Sequence, residues 1–262
     1  MKISRLFIYP IKSCAGTEVR ELLFDANGPI GDRRFLIIDA DGRFMTQREH
    51  KAMAHIRPEI GASCLDISAP GYDSIRISLP ASGERRNVQV WGSTPQGVDC
   101  GDEVAQWLSA ILGTPCRLVQ LPEDNARIAD RKYAPYDTGV GYADGFPLLV
   151  TSQQSLDAIS KLSGVDADVR RFRPNIVVDG AAEPFAELSW RVLKTTGGHQ
   201  IDLVKPCERC VIPTRDPDTL ESTPALTRVM AAECRIDGKI IFGQNGVFDG
   251  PRLAVGDELI SE

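Results

Sequence analysis

Cys207 and Cys210 stand three residues apart in a stretch that reads LVKPCERCVIPTRDPDT from Leu203 to Thr219. Lys205, Arg209 and Arg215 lie around them, and Asp216-Pro217-Asp218 is a turn signal just beyond. A thiolate is populated at neutral pH when positive charge is close. The same cations bind phosphate or another anion. Four chemistries suit such a pair. A structural zinc site needs two more ligands; Cys234 and His199 are present, but there is no second Cys-x-x-Cys and no His-x-x-x-His. A thioredoxin-like pair needs the motif at a helix start in a βαβ context, whereas the surroundings read as β-rich, with Pro206 ahead of the first cysteine. Two buried, inert thiols are a third state. A thiolate ligating a soft metal such as molybdenum is the fourth, and residue chemistry alone ranks it behind the third.

Basic residues give a second signal. Lys12 and Ser13 follow Tyr9-Pro10, Arg33 and Arg34 precede an apolar run, and Arg170, Arg171 and Arg173 precede Pro174-Asn175. Three basic groups, each at a strand–loop junction, are placed to converge on one phosphate; each by itself reads as a solvated strand end. His50 and His55 flank a turn with no carboxylate partner in view and read as structural. Gly-x-Gly-x-x-Gly after a strand, a P-loop and a Gly-x-Ser-x-Gly elbow are all missing from the sequence. Dinucleotide, nucleotide and α/β-hydrolase readings therefore lose their main support.

These groups need elements to hold them. Residues 3–8 and 34–39 read as strands, and Ile75, Ile77, Leu79, Val88 and Val90 alternate with polar residues as half-buried strands do. Gly and Pro punctuate these runs at short intervals, which fits a barrel or sandwich. Residues 102–112 carry Val104, Trp107, Leu108, Ile111 and Leu112 on one helical face, with Gly113 as the stop. Residues 117–121 read as a strand, and 122–144 as a long polar loop, either functional or mobile. In the second half, strands are expected at 147–151, 175–178, 190–193, 201–204 (ending at Pro206), 239–242 and 253–260. A helix capped by Thr151 or Ser152 carries Leu156, Ile159 and Leu162, and a second carries Leu226, Val229 and Met230. The division falls between residues 1–120 and 121–262.

The chain has 262 residues and a formal net charge of -6. Nothing global pulls it toward a nucleic-acid polymer or an anionic membrane, so an anion site must be built locally. No apolar run approaches the roughly 20 residues of a membrane span. The opening MKISRLFIYPIKSC lacks a continuous apolar core and a small-residue cleavage site, and reads as a first strand rather than a signal peptide. The seven cysteines are an odd set; with no signal peptide, free thiols in a reducing cytoplasm are expected.

Taken together, Tyr9-Pro10-Ile11-Lys12-Ser13-Cys14, Gly31-Asp32-Arg33-Arg34-Phe35, Met45-Thr46-Gln47-Arg48, Phe172-Arg173-Pro174-Asn175-Ile176, Cys207-Glu208-Arg209-Cys210 with Asp216-Pro217-Asp218-Thr219, and Phe242-Gly243-Gln244-Asn245 resemble the MOSC family. The likeness is to members that join an N-terminal β-barrel MOSC-like region to a MOSC domain, among them the mitochondrial amidoxime-reducing components and bacterial relatives. It runs along nearly the whole chain. It implies an α+β, β-rich fold in which an N-terminal β-barrel-like region packs on a MOSC β-barrel with peripheral helices. It also implies a molybdenum cofactor (Mo-molybdopterin) between the halves, with Cys210 as metal ligand and catalytic residue and Cys207 as the weaker alternative. Lys12, Ser13 and Arg34 match cofactor-binding positions of the first half; Arg173, Asn175, Glu208, Arg209 and Asn245 match those of the second. Asp144 and Gly145 align near a cofactor-contacting loop. Glu208 stands where the family has a small or polar residue, so it is expected to point away or to pair with Arg209.

The activity implied is reduction of N-hydroxylated compounds: hydroxylamines, amidoximes or N-hydroxy bases. The sequence ends at Glu262 without a four-cysteine [2Fe-2S] pattern, so electrons are expected from a separate ferredoxin or cytochrome b5-like protein. The alternative is a non-catalytic carrier of molybdenum cofactor, or of persulfide sulfur on Cys210.

Overall fold

The computed structural model describes residues 1–125 and 127–262; Ala126, within the expected 122–144 loop, lies outside the described residues. The protein is β-rich α+β. A nine-stranded sheet runs in the order Leu259–Ser261, Val192–Thr195, Gln200–Glu208, Lys239–Phe248, Leu148–Ser152, Ile176–Asp179, Lys2–Ile8, Thr17–Val19, with Arg235–Ile236 beside Lys239–Phe248. The first strand of the chain therefore lies in the sheet of the second half, antiparallel to Ile176–Asp179. Its two faces drive this, with a register shift between Ile3 and Arg5 that puts Ile3 on the side of Leu6 and Ile8: these three enter a core with Val150, Val178 and Leu193, while Phe7 and Tyr9 face a second cluster with Leu156, Phe172 and Phe242.

The strand pairing does not close this sheet into the expected barrel. The edge strand Leu259–Ser261 and the turn before it reach the start of Lys2–Ile8 through a short patch of bonds, among them Ile3 N–H to the Asp257 carbonyl, Gly256 N–H to the Ile3 carbonyl and Leu259 N–H to the Met1 carbonyl, each 2.9 Å. The expected strand over 253–260 is two strands, Arg252–Ala254 and Leu259–Ser261. Gly256, at φ +97°, turns the chain between them.

The first half adds a four-stranded sheet, in the order Phe35–Ile38, Arg117–Gln120, Gln96–Asp99, Arg85–Asn87, and a three-stranded one made by Arg57–Ile60, Cys64–Ala69 and Tyr72–Ser78. Val88 and Val90, expected within a strand, lie just past Arg85–Asn87 in a tight hairpin and are buried there. Helix α1 (Asp102–Leu112) ends on left-handed Gly113, whose N–H donates to the Ser109 carbonyl. Helix α2 (Gln153–Ser163) is capped by the Ser152 hydroxyl, which accepts from Ser155 N–H. The short helix α3 (Val169–Phe172) is capped by Asp168, and α4 (Pro224–Glu233) packs against α2.

Pro206 does not stop its strand. Gln200–Glu208 continues through it against Lys239–Phe248, with register shifts between Leu203 and Lys205 and between Pro206 and Glu208. Proline cannot donate to a ladder and is tolerated where a bulge removes the demand. The bulges carry the strand on to the cysteines.

Candidate functional site

Arg209 N–H donates to the Ile240 carbonyl at 2.7 Å, which prolongs strand pairing to the edge of the Cys-x-x-Cys stretch. The Arg209 guanidinium turns back. Its Nη1 donates to Cys207 Sγ at 3.2 Å and its Nη2 to the Phe172 carbonyl at 2.6 Å. Its Nε is buried with no partner among the described residues. The two cysteines therefore differ: Cys207 is half-buried against a guanidinium, and Cys210 is exposed. The Cys210 sulfur makes no hydrogen bond among the described residues. Glu208 pairs with Lys239 at 2.7 Å, away from Arg209. Beyond Cys210, the turn Ile212–Thr214 leads to Arg215. Arg215 donates to the Gln47 carbonyl and, at 2.9 Å, to the Arg48 carbonyl, tying the cysteine loop to the first half.

Tyr9 anchors the first-half face. Two guanidiniums lie over its ring, Arg33 at 4.4 Å and Arg173 at 4.3 Å from the ring centre, as cation–π contacts. Burial pushes the Tyr9 hydroxyl up to about 12, against the pull of Arg173 and Arg33. Burial likewise lowers Arg173 to about 10. Arg173 sits at φ +58° and its Nη1 donates to the Cys14 carbonyl at 2.5 Å. Arg33 donates to Asn175 Oδ1 at 2.9 Å and to the Arg173 carbonyl at 3.2 Å. Asn175 is buried; it also accepts from Leu149 N–H and donates to the Phe7 carbonyl, so its amide braces two strands and the turn that carries Arg33.

Lys12 is 6% exposed. Its ammonium donates to the Tyr142 carbonyl at 2.9 Å and pairs with Asp144. Burial lowers its pKa, and Asp144 partly opposes this. The Asp144 side chain is 68% exposed. Desolvation alone would raise its carboxyl, but Lys12, the Trp91 indole and Arg48 hold it well below the usual carboxylate range. Arg127 donates to the carbonyls of Gly141, Ala143 and Asp144, fixing the segment that carries Asp144 and Gly145. Ser13, at φ +66°, offers its carbonyl to Gln47 Nε2 at 3.1 Å.

Lys12 and Asp144 are thus brought together, as are Arg173, Asn175 and Arg209 around Tyr9, Arg33 and Phe172. Arg34 reaches Asp25 at 2.7 Å and the Gly28 and Pro29 carbonyls. Asn245 donates to the Lys205 carbonyl at 3.2 Å within the bulged ladder. The sequence places Arg33 with Arg34 among the basic groups at strand–loop junctions and Arg48 only within a motif, and it does not single out Arg127 or Trp91. Adjacent residues face opposite ways, and no spacing rule says which arginine of a pair turns inward.

Residues 1–115 match the MOSC N-terminal beta barrel domain, and residues 137–260 match the MOSC domain. The chain belongs to the MOSC family. It is 34% identical over 227 residues to mitochondrial amidoxime reducing component 2 of Bos taurus, spanning 83% of this chain and 67% of that one. It is 32% identical over 275 residues to mitochondrial amidoxime-reducing component 1 of Mus musculus, spanning 97% and 80%. It is also 32% identical over 265 residues to the molybdenum cofactor sulfurase of Danio rerio, spanning 92% of this chain and 31% of that one. The function is accordingly of the MOSC kind, related to the molybdenum cofactor. No helix among the described residues is long and apolar enough to cross a membrane.

Proposed function

We propose that this cytoplasmic protein binds a pterin-type molybdenum cofactor between its halves and reduces N-hydroxylated compounds, with electrons from a separate ferredoxin or cytochrome b5-like protein. The observation that carries the reading is Cys210: an exposed thiol on a loop whose base is a strand and whose far side is tied to the opposite half. A soft thiolate suits molybdenum. The surroundings suit an anionic pterin phosphate, since Lys12, Arg173 and Arg209 offer cationic donors and Arg209 keeps a buried Nε with no partner among the described residues. Arg34, Asn175 and Asn245 complete the proposed set, with Ser13, Asp144 and Gly145 at its first-half edge. Asn175 acts by holding Arg33 rather than by contact. Glu208 is committed to Lys239, so the acid is kept from the cofactor's charge.

When bound, the cofactor supplies two-electron reductive cleavage of the N–O bond. The chain's own residues supply the rest. Cys210 holds the metal. Lys12 and Arg173, which burial has already desolvated, would fix the anionic end together with Arg209. The similarity to a molybdenum cofactor sulfurase, together with the exposure of Cys210, also suits a carrier that hands on cofactor or persulfide sulfur. Turnover separates the two. Molybdenum-loaded protein with an artificial electron donor is expected to convert benzamidoxime to benzamidine, or 6-hydroxylaminopurine to adenine, with two electrons, two protons and release of water, and Cys210→Ala is expected not to. Loaded protein that leaves both compounds intact yet passes its cofactor to an acceptor would establish the carrier instead.

A further inference from the structure

The tip of one first-half hairpin breaks a local rule. Val90 and Ser93 exchange backbone hydrogen bonds of 2.9 and 3.1 Å, leaving Trp91-Gly92 as a two-residue loop. The positive φ falls on Trp91, at +53°, and not on Gly92. Loops of this kind place glycine, asparagine or aspartate at such a position, because a bulky side chain is strained there. Here the glycine sits beside the strained position and the tryptophan occupies it. Such strain persists only where surrounding contacts over-determine it, and it concentrates at functional sites.

Those contacts are present. The indole Nε1–H donates to Asp144 Oδ1 at 3.0 Å, the oxygen that Lys12 also engages. The Arg48 guanidinium covers the ring at 4.8 Å, and Phe44 packs beside it at 5.0 Å with a 58° tilt. Arg127 donates to the Ser93 hydroxyl and to the Asp144 carbonyl, locking the hairpin to the Asp144 segment. The Arg48 carbonyl in turn receives Arg215 from the Cys210 loop. The indole is held by these contacts, and Trp91 is still 46% exposed. It is a braced, half-exposed aromatic ring that touches both the Lys12–Asp144 pair and Arg48, whose carbonyl binds the Cys210 loop.

We infer that Trp91 is a specificity-determining wall that stacks a planar, aromatic N-hydroxylated substrate, of the aminopurine or aryl amidoxime class, in preference to small aliphatic or inorganic hydroxylamines. This rests on the reductase reading for the substrate's identity, but the stacking is testable without turnover. Base–aromatic stacking is worth about tenfold or more in affinity.

The test is binding of 6-hydroxylaminopurine, without electron donor, to wild type, Trp91→Phe and Trp91→Asn. Asparagine accepts a positive φ, so Trp91→Asn relieves the strain and keeps the hairpin. The expected result is a Kd raised about tenfold in Trp91→Asn and largely restored in Trp91→Phe, with thermal unfolding of Trp91→Asn no lower than wild type. With donor present, the ratio of KM for 6-hydroxylaminopurine to KM for hydroxylamine rises about tenfold in Trp91→Asn. Equal Kd values in the three proteins overturn the inference, as does a loss of binding that follows a fall in unfolding temperature. Loaded wild-type protein that binds the purine through Trp91 yet turns nothing over leaves the stacking intact and sinks the reductase reading alone.

Discussion

Arg209 decides which cysteine is free. Its guanidinium engages Cys207 and the Phe172 carbonyl, leaving Cys210 as the thiol open to a ligand. Residue types alone left the two cysteines equivalent; the side toward which Arg209 folds separates them, and that follows from the bulged strand ahead of it. Arg209→Met removes the donor to a carbonyl at the end of α3 and releases Cys207. An unmet carbonyl of this kind costs about 1–2 kcal/mol. Urea unfolding is expected to show a loss of that size, with a lower molybdenum content on purification. A variant as stable and as metal-rich as wild type would remove Arg209 from the account.

At the scale of elements, Asp99 is the hinge of the first half. It is buried at the end of Gln96–Asp99, accepts from Gly101 N–H at the start of α1 at 2.8 Å, and pairs with Arg86 and with Arg117 on the neighbouring strand. Burial alone would raise its carboxyl; Arg117, the Gly101 amide and Arg86 outweigh that and hold it below the ordinary range. An unfolded aspartate titrates near 3.9, so the unfolded chain binds this proton first. The stabilisation is complete above about pH 5 and is lost as pH falls through the lower, native pKa. Asp99→Asn is expected to cost about 2 kcal/mol at pH 7, discounted for the partly exposed arginines. It should also flatten the fall of unfolding temperature below about pH 4; an acid limb as steep as that of wild type would contradict this. Helix α1 was legible in the sequence because five apolar residues and a terminal glycine all point the same way. Pro206 was not, since a proline reads as a stop unless the partner strand supplies a bulge. The Trp91 hairpin was hidden because its residues contradict the turn rule that would have identified it.

At the scale of the molecule, composition and alternation conveyed a β-rich chain in two parts, but not that the parts interleave. Edge pairing joins residues more than a hundred positions apart, and nothing local encodes it. Lys2–Ile8 pairs with Ile176–Asp179 and brings Ile3, Leu6 and Ile8 into the core of the large sheet. The proposed division between residues 1–120 and 121–262 therefore separates sequence units that fold together. A fragment of residues 121–262 exposes that apolar face and one edge of Ile176–Asp179, an aggregation template. It is expected to be unfolded or aggregated by circular dichroism and gel filtration, and to recover on addition of the first half. A monomeric fragment with native-like β-structure would contradict the interleaving.

Arg215, beyond Cys210, is bound to the Gln47 and Arg48 carbonyls of the first half, so metal bound at the proposed site would report on the whole arrangement. The most direct test is elemental analysis of protein made in a host that synthesises the molybdenum cofactor, comparing wild type, Cys207→Ala and Cys210→Ala. The expected result is near-stoichiometric molybdenum in wild type, retained in Cys207→Ala and lost in Cys210→Ala, with all three folded. Zinc in place of molybdenum, or molybdenum that survives in Cys210→Ala, would contradict the assignment of Cys210 as the ligand.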